Sequence, residues 1–172
     1  MNEVYEKERR EEQESESERR SAGPQTQAWD VDVDVYLYSI DPLQFYVDSY
    51  LQSNPGSDDI VFFNRNHPGF NVRFHLHDET GQGYTFPSPS RREDGLWSLL
   101  GTTCPTTAAY EVFEKHSIDV RDQGLMLVAF NPNSGTAVGQ FQYTLNVSTT
   151  GAAPYCHLDP GGNNMNGNGV RN

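Results

Sequence analysis

The chain has 172 residues, 35% of them hydrophobic and 12% aromatic, with 24 acidic against 12 basic side chains and a net charge of −12. That length suits one domain with a real core and is short for two. The acidic balance argues against a nucleic-acid or anionic-membrane partner, and no apolar run approaches the roughly 18 residues of a membrane-spanning helix.

Residues 1 to 20 carry eight Glu against one Lys and four Arg and are polar on every face. With no apolar stripe to dock a helix, they predict a disordered or frayed-helix charged arm over residues 1–28, ending in the Gly23-Pro24 linker. A partner-binding role is the functional alternative for this arm. The charge stands where a secretory signal would be apolar, so a cytoplasmic location is expected.

The folded domain is expected over residues 29–158. Trp29 to Tyr38 alternate strictly, with Trp29, Val31, Val33, Val35 and Leu37 on one face and Asp30, Asp32, Asp34, Tyr36 and Tyr38 on the other. This period of two is a strand signature, and Asp41-Pro42 breaks it. Residues 43–51 fit a strand or a short helix, and 60–63 a strand. Phe70, Val72, Phe74 and Leu76 alternate with Asn71, Arg73, His75 and His77. The turn signal Asp78-Glu79-Thr80-Gly81 and a short run at 83–86 make that stretch read as a β-hairpin. Residues 87–95 read as an exposed loop, 96–100 as a short apolar element, 102–107 as a loop and 110–120 as a strand. The run Gly124–Phe130 predicts a central strand buried on both faces. Residues 139–148 alternate with Phe141, Tyr143, Leu145 and Val147 inward. The Gly/Asn-rich segment 159–172 reads as a flexible tail. Together these predict an all-β fold, a two-sheet antiparallel β-sandwich.

Five features are candidate sites. His75 and His77, two apart on a strand, project from one face and fit Zn or Cu ligation, with a third ligand to come from elsewhere. Asp30, Asp32 and Asp34 form a carboxylate row that calls for a cation or an arginine partner. Exposed Tyr36, Tyr38 or Trp97 would suit carbohydrate stacking. Cys104 and Cys156 are either free thiols or a disulfide. Asn146-Val147-Ser148 is a glycosylation sequon within a predicted strand. A blue-copper arrangement is disfavoured, because Cys156 and His157 are adjacent and Met165 lies in the tail. No nucleophile elbow, zinc-protease helix or phosphate-cradling loop is present, so no enzyme activity or cofactor is expected.

The segments DVDVYLYSID, HPGFNVRFHLHD, LVAFNPN and LDPGGNNMNG resemble the small β-sandwich proteins of bacteria in the DP-EP family and the inclusion-body proteins of the PixA/AidA type. The resemblance covers residues 29–164. It implies a cupredoxin-like or immunoglobulin-like sandwich and supplies no catalytic residues. The function expected is self-association, as a homo-oligomer, or binding of a protein partner.

Overall fold

The computed structural model describes residues 28–51, 60–62, 69–133 and 139–164. The charged arm expected over 1–28 lies outside these residues except for Ala28, as does everything after Asn164. The described strands are β1 (Trp29–Ile40), β2 (Leu43–Asp48), β3 (Ile60–Phe62), β4 (Phe70–Asp78), β5 (Leu96–Leu100), β6 (Asp119–Arg121), β7 (Met126–Asn131), β8 (Gly139–Val147), β9 (Cys156–Leu158) and β10 (Gly161–Asn164). They form two sheets. Sheet A has the order β2-β1-β4-β7-β6, and sheet B has β3-β10-β8-β5, with β9 also pairing β8.

The alternation in β1, β4 and β8 places the inner side chains as expected. Val31, Val33, Val35 and Leu37 of β1, Phe70, Val72, Phe74 and Leu76 of β4, and Phe141, Tyr143, Leu145 and Val147 of β8 are all buried. Both sheets contribute to one apolar core. Phe74 of sheet A meets Tyr143 of sheet B with ring centroids 5.7 Å apart, and Phe62, Phe113 and Phe141 complete an aromatic cluster at 6.0–6.2 Å spacings. Phe113 meets Phe62 and Phe141 edge-on, Phe74 is tilted against Tyr143 and Phe62 stacks on Phe141, arrangements that suit the ring quadrupoles. Trp29 departs from the pattern. It is half exposed at the start of β1 and covers Phe70 edge-on at 6.1 Å.

Several expectations are corrected. The sheets are mixed rather than antiparallel, because β1 runs parallel to β4 and β3 parallel to β10. A parallel pair needs a crossover, which the chain supplies by visiting β2 and then β3 of the other sheet before returning as β4. Phe70–Asp78 is therefore not half of a hairpin. Its neighbours are β1 and β7, and residues 83–86 leave for sheet B, where Thr85 bridges to Ser148. The Asp78 carboxylate steers that departure. Oδ1 accepts from Thr80 N and Thr80 Oγ1 at 3.0 and 2.6 Å, and Oδ2 from Gly83 N and Tyr84 N at 2.8 and 2.9 Å.

In the segment 110–120, only Asp119 and Val120 belong to a strand, β6. Val112 and Phe113 are buried, with their N–H groups donating to Ser98 Oγ at 3.2 and 3.1 Å. β7 alternates between buried and half-buried positions, so only one of its faces lies on the core. The expected loop 87–95 contains a 3-10 turn, Pro89–Gly95. Residues 161–164, expected in a free tail, are β10, held between β3 and β8. Glycine makes this placement possible. A Cβ on Gly162 would overlap the Phe141 ring, standing 2.7 and 2.8 Å from Cε1 and Cε2.

Candidate functional site

The outer face of sheet A brings together the two polar rows that the sequence presents separately. The parallel register sets Asp30 beside Asn71, Asp32 beside Arg73, Asp34 beside His75 and Tyr36 beside His77. The two histidines then lean back by one outward position along β1, whereas Arg73 and Asn71 meet the aspartates directly across from them. Arg73 donates to both oxygens of Asp32 at 2.8 and 2.9 Å and reaches Asp30 at 3.5 Å. His75 Nε2 lies 2.8 Å from Asp32 Oδ1, and His77 Nε2 lies 2.7 Å from Asp34 Oδ1. Asn71 donates to Asp30 at 3.2 Å. The carboxylate row thus has its arginine. Hydrogen bonds from Arg73 and then His75 hold the Asp32 carboxyl below the usual carboxylate range, against a smaller opposing effect of burial.

This ladder uses the imidazoles one by one. Each His77 and His75 Nε2 faces its own aspartate, and among the described residues no three His, Cys, Asp or Glu side chains group so as to hold a metal ion. The like-charged Asp34 and Asp48 stand directly opposite each other in the β1–β2 register. Next to them a row of rings crosses three strands. Tyr36 stacks on His77 at 4.5 Å with planes 13° apart, and its ring lies 6.4 Å from both Tyr38 and Tyr46.

Trp97 does not join this platform. It belongs to β5 of sheet B and is 9% exposed. The outer face of sheet B is covered by the segments around it. Thr144 Oγ1 lies 2.9 Å from the Pro105 carbonyl, and Asn146 Nδ2 donates to the Asp94 carbonyl at 2.6 Å. His157 Nδ1 lies 2.6 Å from Asn146 Oδ1, with its ring 5.8 Å from Trp97. Asn146 is fully buried, so the sequon offers no amide for a glycan.

Cys104 and Cys156 are free thiols, and burial, followed by the nearby Asp159 carboxylate, pushes both up in pKa. Neither is an activated nucleophile. A cleft of about 530 Å³ lies between the turn 122–124 and residues 149–151, lined in part by Ser88, Arg121, Gln123 and Thr150. Its lining contains no histidine, cysteine or lysine, and Arg121 Nε is bound to Asp119 at 2.7 Å.

No protein-family model and no curated protein matches this chain. Among the described residues, no helix is long and apolar enough to cross a membrane. The clearest chemical feature is therefore the open, ring-and-carboxylate face of sheet A. The sequence shows each of its rows but not their meeting. The signal available was complementarity: acids at every second residue from 30 to 34, and Asn, Arg and His at every second residue from 71 to 77.

Proposed function

We propose that this chain is a non-enzymatic, cytoplasmic β-sandwich protein of cupredoxin-like or immunoglobulin-like type, akin to the proteins its motifs resemble, that acts by self-association or partner binding. The observation that carries this reading is strand β2. It is an outer strand of sheet A and, among the described strands, pairs with β1 alone, with Val47 engaged beyond that pairing. Natural edge strands are usually blunted by Lys, Pro, a bulge or a covering segment. β2 reads LQFYVD, with no Lys or Pro and one charge at its end, and the register irregularity of the pair, between Leu37 and Ser39, puts its extra residue on β1 rather than on β2. Leu43 is 41% exposed, and neighbouring Tyr38 is 51% exposed.

A second copy can add to this edge in an antiparallel sense. Setting Tyr46 opposite its own counterpart keeps inner and outer faces matched. In that register Asp48 falls across from Gln44, and no two acids oppose each other. Sedimentation of the full chain over a concentration series tests the reading. A species that grows with concentration, and that Leu43→Lys with Gln44→Glu returns to monomer by setting a carboxylate across from Asp48 of the second copy, is the expected result. A strict monomer at all concentrations that also retains no protein partner on purification overturns it.

A further inference from the structure

The ring row on sheet A supports a more specific reading, which rests on the proposal that sheet A is the interaction surface. Tyr46, Tyr36 and His77 occupy one rank across β2, β1 and β4, with Tyr38 two residues further along β1. Cross-strand rings can serve sheet stability alone. Here three facts point outward. Tyr38 is half exposed, with its ring plane 12° from that of Tyr36. The neighbouring rank sets Asp34, which His77 meets at 2.7 Å, directly opposite Asp48, a like-charge pairing that disfavours the strand pair. Among the described carboxylates His77 meets Asp34 alone, and Arg73 is held by Asp32 and Asp30, so neither is paired with Asp48.

Asp48 and Glu79 make no ion pair among the described residues. Burial first, then the charges of Asp34, Asp48, Tyr38 and Glu79, raise the Tyr36 phenol, so these acids act on the same ring. Aromatic faces attract cations, and adjacent carboxylates add a Coulomb attraction. A neutral sugar would answer the rings but leave the Asp48 carboxylate unmet.

We propose that Tyr36, Tyr38, Tyr46 and His77, with Asp34 and Asp48 beside them, form a binding site for a cationic side chain, an arginine or lysine displayed by a partner protein. The alkyl stem lies along the tyrosine faces, and the charged head reaches the Asp34–Asp48 pair and relieves its repulsion.

The test is calorimetric titration of the full chain with the peptide Gly-Arg-Gly-Arg-Gly-Arg-Gly and with its Glu-containing counterpart. Saturable binding of the arginine peptide alone is expected, weakening with salt. Tyr38→Ala and Asp48→Asn should each weaken it by roughly three- to tenfold. Because a chain of this net charge attracts any polycation, Asp119→Asn with Asp122→Asn serves as a charge control on β6 and the adjoining turn and should leave affinity unchanged. No saturable binding, or equal losses in the control and in Tyr38→Ala, overturns the proposal. The edge variant Leu43→Lys with Gln44→Glu keeps every ring and every acid of the site. Loss of self-association with peptide binding retained, or the reverse, separates failure of one reading from failure of the other.

Discussion

Asp32 and Asp78 are the carboxylates on which the local structure leans most. Asp32 accepts from Arg73 and His75 and thereby ties β4 to β1. At Asp78, burial raises the pKa, but the hydrogen bonds from Thr80, Tyr84 and Gly83 outweigh it and hold the group below its ordinary value. Both groups bind protons less readily folded than unfolded. Their contribution to stability is therefore complete above the unfolded carboxylate pKa of about 4 and drains away as pH falls through the lower folded values. Melting temperature should change little from these groups between roughly pH 7 and 5 and fall below about pH 4. Asp78→Asn should lower stability at neutral pH and flatten the acid limb. Thermal melts of the two chains across that range check this. An acid limb of unchanged steepness in the variant would show that Asp78 is not the group being titrated.

At the scale of the element, what the sequence discloses follows from what periodicity encodes. Alternation names the inner face of a strand, so Val31 through Leu37, Phe70 through Leu76 and Phe141 through Val147 were legible. Alternation carries no direction. The parallel β1–β4 pair, and with it the meeting of Asp32 with Arg73 and His75, was out of reach until the crossover was known. Composition misled at β10, because Gly-Gly-Asn-Asn lacks the β-branched and aromatic residues that mark strands. The strand exists for a tertiary reason, the fully buried ring of Phe141 that needs a residue without a Cβ beside it. Gly162→Ala should accordingly destabilise by about 1–3 kcal/mol, the usual range for overpacking a filled core. Urea unfolding with an unchanged slope and a lower midpoint is the expected outcome. An unaltered midpoint would mean that the ring yields at no cost.

At the scale of the whole molecule, the two sheets are finished differently. The outer face of sheet B is closed by residues 94–105, against which Thr144 and Asn146 are buried. The outer face of sheet A keeps its charged ladder and tyrosines at the surface, with Asp30, Asp32 and Asp34 side chains 43–57% exposed. A covered sheet serves the core, whereas an open one is free to meet another molecule. Closure of sheet B depends on the last described strand. Among the described strands β10 is what links β3 to β8, so removing it strands β3 and uncovers Phe141. A chain ended at Leu158, the boundary that composition suggests, would lose that link while keeping almost all of the apolar sequence. Sheet A would retain its pairings but face a core open on one side. The expected result is loss of a single cooperative thermal transition, with dye binding to exposed apolar surface, while the full chain melts in one step. A truncated chain that melts as sharply as the full one would show that β8, β5 and β9 close sheet B without β10.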